Sequence, residues 1–555
     1  MFKKPMTWLL LTALFCGSVI FIGRYFGLAF PIVNVTITMD RHAALAAGRD
    51  LCTRLNLPPD NGRQAAVFQL DDEVRNYVEL EAGGAPAFQA LLQEGRYMPY
   101  QWSVRCFRTH EVRESVVRFT PRGAPYGFTT KLPESAPGPA LARAAAQTIA
   151  EKAAAADWDI LTTNYTLVEA SQENRPGGRI DHTFVYERPH AAVGEGRYRL
   201  RLVVAGDRLT ELTHFIKIPE GFTRRYEQMR SANNVLGTAA QAVIYIAYFF
   251  GGCVIGLFFL LRQRRVLWGT ALRWALLIAA INALMILNAF PLAWAGYATT
   301  DSYSMFRAQV VTACLMTFLQ FVVLLGISFV AAEGLDRKAF GRHIQPWRLW
   351  SGGVANSATV LGQTVGGYYL AGIFLAVVVG LYVVTTRWLG WWNPSDALSD
   401  PNILGQYCPW LGAASALSPG FWEECLFRAV PLGCAALLGE RLGCRKTVLG
   451  IACVLQAVVF GAAHASYPAQ PAYARMVELT LTFTVFGLVY LRFGLLPVII
   501  AHFVVDATAF SLPVFVSSAP GMWVNKAVCV ALMAVPLAVP LVWWIVRRRL
   551  EPVPA

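Results

Sequence analysis

Apolar runs of roughly 20 residues recur along the chain, and one long polar stretch separates the first run from the rest. The runs centre on 8–23, 235–261, 268–294, 307–332, 366–387, 410–438, 446–467, 476–493, 495–517 and 524–546. A helix of that length crosses the hydrocarbon core of a bilayer with every backbone group satisfied internally. The pattern predicts an α-helical polytopic membrane bundle of about ten spans, with an extra domain inserted after the first span.

Residues 34–234 pattern as α+β instead. Asp40 is placed to cap a helix over Arg41–Leu55. Ser115-Val116-Val117-Arg118-Phe119-Thr120 has the β-branched and aromatic content of a strand, and Pro121-Arg122-Gly123 follows as a turn. An alanine-rich helix is expected from Pro139 to Ala156, then further hairpin strands. Gly127-Phe128-Thr129-Thr130-Lys131-Leu132-Pro133-Glu134 is echoed by Thr213-His214-Phe215-Ile216-Lys217-Ile218-Pro219-Glu220, which suggests two copies of a helix-plus-hairpin unit. Its histidines show no ligand spacing.

Composition supports this division. Of 555 residues, 55% are hydrophobic and only 15% charged, against about a quarter in soluble domains. The net charge of +13 raises the question of a nucleic-acid partner. Its distribution answers it, because residues 34–234 hold 25 Lys+Arg against 24 Asp+Glu. The excess sits in the leader and in short loops: Arg262-Gln263-Arg264-Arg265, Arg337-Lys338 with Arg342 and Arg348, Arg441 with Arg445-Lys446, and Arg547-Arg548-Arg549. The intervening loops, 295–303 and 389–407 with Asp396 and Asp400, are not basic. By the positive-inside rule both termini are cytoplasmic and the polar domain lies outside the cytoplasm, with the bilayer and not nucleic acid as the partner. Cys52 and Cys106, the two cysteines of that domain, are a candidate disulfide.

Ionisable groups at bilayer depth cost several kcal/mol and need a partner or a purpose. Here they cluster late: Glu423, Glu424 and Arg428, then His464, then His502 and Asp506. Glu424 and Arg428 are i,i+4 with the acid first, the favoured order for an ion pair. Glu423 points about 100° away, with no cation at i±3 or i±4, and is free to take a proton from water. His502 and Asp506 share a face, as do Phe460 and His464.

Three motifs emerge in order: Glu423-Glu424-x-x-x-Arg428, Phe460-x-x-x-His464 and His502-x-x-x-Asp506. Together they resemble the CPBP family of intramembrane endopeptidases, which includes the type II CAAX prenyl endopeptidase and bacterial relatives linked to bacteriocin maturation and immunity. The resemblance covers about residues 410–517. It implies a metal- and cofactor-independent glutamate-type endopeptidase that hydrolyses a peptide or protein substrate, and the alanine- and arginine-rich composition suggests a bacterial inner membrane. Glu423 and His464 would activate water, Glu424 and Arg428 would support the site, and His502 with Asp506 would stabilise the oxyanion. Asp506 departs from the asparagine usual in prenyl endopeptidases. An ionised aspartate cannot donate to an oxyanion, so orienting His502 is its favoured role.

The expected organisation is then a membrane anchor at 1–33 (a cleaved signal peptide is the alternative), the α+β domain at 34–234 and accessory helices at 235–409. The protease core follows at 410–517, and a last helix with a basic tail at 518–555. The rival readings are a metal-dependent protease, a transporter or proton relay, and an inactive scaffold.

Overall fold

The computed structural model describes residues 5–349 and 352–547. Lys3 and Lys4 of the leader and Arg548 and Arg549 of the tail therefore lie outside the described residues. Helix α1 (Pro5–Ala29) leads into α2 (Arg41–Arg54), which starts where Asp40 accepts a hydrogen bond from the Ala43 amide. Strand β1 (Arg63–Leu70) precedes α3 (Asp72–Glu81) and α4 (Gly84–Glu94). Then come β2 (Tyr100–Phe107), β3 (Glu114–Phe119), β4 (Pro125–Lys131), α5 (Arg143–Trp158), β5 (Thr166–Asn174), β6 (Ile180–Val193), β7 (Gly196–Ala205) and β8 (Arg208–Lys217).

The eight strands form one antiparallel sheet in the order β1-β2-β3-β4-β8-β7-β6-β5. Each half is a four-strand meander preceded by a helix, and the halves meet where Phe128 pairs with Leu212. The two echoed segments contribute these two central strands. Small residues let the helices lie close to the sheet. Ala146, Ala150 and Ala154 are fully buried along α5, and a side chain at Gly48 of α2 would run into Val104.

The sheet ends at Lys217, but α6 (Glu220–Arg262) is one helix that begins beside the sheet and continues into the apolar bundle. Its 43 residues span about 65 Å. The expected boundary near residue 234 thus falls inside a helix. Hydropathy marks where polar sequence stops, whereas a helix continues as long as its backbone hydrogen bonds do.

The remaining long helices are α7 (Trp268–Asn288), α8 (Tyr303–Ala339), α9 (Ala358–Leu389), α10 (417–441), α11 (Arg445–Ala463), α12 (Ala474–Phe493), α13 (Leu495–Phe510) and α14 (Met522–Arg547). Ser302 and Ser357 cap α8 and α9 by accepting from the Met305 and Val360 amides. Among the described residues, eight helices are long and apolar enough to cross a membrane, against the ten runs read from sequence. The other two runs hold α10 and α13. Glu423, Glu424, Arg428 and a π turn (Cys425–Ala429) interrupt the apolar character of α10. The 16 residues of α13 reach only about 24 Å, short of the roughly 30 Å hydrocarbon core.

Alternate inter-helix loops meet the sheet domain or the sheet end of α6. Arg105 donates to the carbonyls of Ala295 and Tyr297. Arg75 pairs with Asp396 at 3.2 Å. Arg230 and Asn233 hold Ser466 and Ala469, and Ser518 donates to Ile37. The basic loops lie at the opposite helix ends.

Candidate active site

Three helices converge on one point of the bundle, and glycines set how closely they approach. A side chain on Gly420 of α10 would sit 3.1 Å from the Phe503 amide of α13. One on Gly461 of α11 would sit 2.5 Å from the Met476 carbonyl of α12. These contacts bring the faces bearing Glu423 and Glu424, His464, and His502 and Asp506 around a shared volume. The π turn widens the helix just after Glu424, so that Glu424 and Arg428 still share a face.

All six residues singled out from sequence meet here. Glu423 Oε2 lies 3.9 Å from His464 Nε2 and 3.7 Å from His502 Nε2. His464 Nδ1 is 2.8 Å from the Phe460 carbonyl. A carbonyl can only accept, so Nδ1 carries the proton and a neutral ring leaves Nε2 as an acceptor facing Glu423. His502 Nδ1 is 2.8 Å from Glu424 Oε1 and donates to it, while Asp506 Oδ2 lies 3.4 Å from His502 Nε2. The ring is therefore held by Glu424 more closely than by Asp506, the residue to which sequence reasoning gave that task. Sequence spacing relates residues within one helix, and this bond joins helices 78 positions apart.

Glu424 and Arg428 are fully buried. Arg428 Nε is 3.3 Å from Glu424 Oε2, but its N–H does not point along that line, so charge and not a hydrogen bond joins them. The guanidinium lies over Phe460 at 4.5 Å and Phe483 at 4.4 Å, with Phe486 at 6.0 Å. Arginine suits this position because its flat, weakly hydrated cation stacks on ring faces.

Glu423, His464, His502 and Asp506 open onto a cavity of about 110 Å³. That volume holds three or four waters at about 30 Å³ each, not a peptide. Phe30, Leu398, Tyr467, Arg475 and Phe510 complete its walls. Sequence reasoning did not reach these residues. Only the aromatic character of Tyr467, close after His464, hinted at a wall.

Among the described residues, no group of three or more His, Cys, Asp or Glu side chains is arranged to hold a metal ion. The arrangement presents two acceptors, Glu423 and His464 Nε2, to one small cavity, with His502 Nε2 beside them. Residues 405–508 match the family model for type II CAAX prenyl endopeptidase, Rce1-like. This segment is similar to the Rce1-like domain.

The matched segment contains all six residues and runs from just before α10 to near the end of α13. It begins five residues earlier and stops nine earlier than the 410–517 read from the motifs. Its apolar helices and this match support a multi-pass membrane protein. The sheet domain and Phe30 lie outside the match. No curated protein and no solved structure matches the chain.

Proposed function

We propose that the protein is an intramembrane glutamate-type endopeptidase in which Glu423 and His464 activate water. The observation that carries this reading is the pair of acceptors 3.9 Å apart on the small cavity. That gap exceeds a hydrogen bond, yet one water can donate to both groups. Its lone pair is then directed at a substrate carbonyl. Glu423 takes the proton as the oxygen attacks and passes it to the leaving amine. His502, as an imidazolium between Glu424 and Asp506, donates Nδ1–H to Glu424 and turns Nε2–H toward the carbonyl oxygen. Asp506 lies beside the same nitrogen.

The test is cleavage of mixed-sequence quenched fluorogenic peptides by the purified protein in nanodiscs. His464→Ala is expected to lower kcat about 10²–10⁴-fold, the usual contribution of a positioned acid–base group, with KM little changed. EDTA and 1,10-phenanthroline are expected to leave the rate intact. Cleavage at the wild-type rate by His464→Ala would sink the assignment, and chelator loss would revive a metal.

In this reading the chain crosses the membrane ten times, with α10 and α13 as the short crossings. The contacts between alternate loops and the sheet domain support that parity, and the basic loops put the sheet outside the cytoplasm. The segments are those of the sequence reading: 1–33, 34–234, 235–409, 410–517 and 518–555. Cys52 and Cys106 bring their Sγ atoms within 3.2 Å between α2 and β2. Exported to an oxidising compartment they should close a disulfide. Thiol titration of the denatured, unreduced protein should then find two fewer thiols than its 11 cysteines. A full count would place the sheet on the reducing side.

A further inference from the structure

A second hollow, of about 850 Å³, lies between the sheet domain and the bundle. Its walls include Glu79 and Glu81 of α3, Arg225, Tyr226 and Ala232 of α6, and Trp391 beyond α9. This is within the roughly 300–1,000 Å³ of typical ligand sites. It shares two bordering segments with the catalytic cavity. Trp392 and Gln470 line the larger cleft, while Leu398 and Tyr467, from the same two segments, line the smaller cavity.

A backbone bridge joins these two segments. The Trp392 amide donates to the Gln470 carbonyl at 2.7 Å, and the Gln470 amide returns the bond at 2.7 Å. Side chains pin it from both sides. Trp392 Nε1 donates to Glu79 at 2.8 Å, Asn393 donates to Glu478, and Asp396 is paired with Arg75. Glu478 in turn pairs with Arg475 of the catalytic wall at 2.9 Å.

Buried, partnered charge stands between the catalytic residues and the basic loops. Below Glu423 lies the Arg428 guanidinium stacked on Phe460 and Phe483. Toward the basic loops follow Tyr490, Asp336 and His343, all buried and bonded to one another. A substrate arriving from the basic-loop side would have to dismantle buried charge.

We propose that the cleft under the sheet domain is the substrate-binding site, that it takes an extended polypeptide segment from the sheet-domain side, and that the Trp392–Gln470 bridge is the gate to Glu423. This rests on the peptidase reading and adds the substrate's class and direction. The segment is extended because a helix keeps its carbonyls in i→i+4 bonds, whereas hydrolysis needs one exposed. The aromatic walls of Tyr226, Trp391 and Trp392 suit apolar side chains, and the Arg225–Glu81 pair at the rim suits a polar backbone. Segments presented only on the basic-loop side are not substrates.

The test uses proteoliposomes sorted by accessibility of the sheet domain to external protease. The probe is a membrane-impermeant mixed-sequence peptide library carrying a quenched fluorophore and a benzophenone. Cleavage should appear only when the library is on the sheet-domain side. Ala232→Trp, an exposed helix position that fills the cleft, should raise KM roughly tenfold, about what one well-packed contact is worth, with kcat unchanged. Trp392→Cys/Gln470→Cys should lose cleavage on oxidation and regain it with reductant. In the Glu423→Gln protein, photolabelling should fall on residues 225–232 and 391–392.

Cleavage from the basic-loop side, an unchanged KM in Ala232→Trp, or labelling away from the cleft would overturn the proposal. If the wild type cleaves nothing from either side, the peptidase reading fails. The labelling arm still decides whether the cleft binds peptide.

Discussion

Glu423→Gln is expected to lower kcat about 10³–10⁴-fold while the protein stays folded and membrane-inserted. The substitution keeps the shape of the side chain and removes its capacity to accept a proton. Glu423 Oε2 is buried without a hydrogen-bond partner among the described residues, and the nearest histidine nitrogens stand 3.7 and 3.9 Å away. Little stability therefore depends on its charge. The loss should fall on kcat and not on KM, since the cavity is too small for Glu423 to contribute much to holding substrate. Single-turnover cleavage in nanodiscs, read beside a thermal melt, checks both halves. A scaffold would show no catalytic difference, and a metal site would lose bound ion as well. Wild-type turnover by Glu423→Gln would remove the glutamate mechanism altogether.

The second large effect concerns stability. Arg428→Met leaves Glu424 as a fully buried carboxylate without its cation, which should cost about 3–5 kcal/mol. Methionine fills the space between Phe460 and Phe483, so the loss reports charge more than packing. Glu424→Gln/Arg428→Met should regain most of the melting temperature, because neutralising both partners of a buried pair is often close to neutral. It should not regain turnover, since Glu424 also accepts from His502 Nδ1 at 2.8 Å. An amide oxygen there accepts more weakly than a carboxylate and holds the ring less firmly. If Arg428→Met melts with the wild type, the guanidinium is not balancing Glu424. If the double variant turns over normally, Glu424 does not position His502.

The split between these two effects follows from how the adjacent glutamates are placed. They are consecutive on one helix, so they face different neighbours, and only Glu424 sits over a cation. That much followed from a period of 3.6 residues and an i,i+4 spacing. The widened π turn kept the relation intact. The link from Glu424 to His502 did not follow, because it depends on which helices are adjacent and on Gly420 letting two of them approach closely.

The sheet domain divides in the same way. The Asp40 cap, the strand at Glu114–Phe119 and the alanine-rich helix were legible because each is encoded by neighbouring residues. The alanine-rich helix begins at Arg143 instead of Pro139, since the proline-containing stretch before it stays extended. The echo of Gly127–Glu134 in Thr213–Glu220 signalled related strands. Their pairing at the centre of a single sheet depends on contacts about 85 residues apart, which no local pattern specifies.

Sequence alone determined that this chain is a membrane bundle with a polar insert, and which six residues form its polar cluster. Hydropathy and charge are properties of single positions, and buried ionisable groups are rare enough to stand out. Only the tertiary structure decided that Glu424 holds His502, that three phenyl rings stack around Arg428, and that Phe30 and Leu398 wall the catalytic cavity. It also decided that the sheet domain lies over that wall, with Arg75 on Asp396 and Glu79 on Trp392. Those contacts join segments hundreds of residues apart, and their partners are selected by packing geometry and not by spacing along the chain.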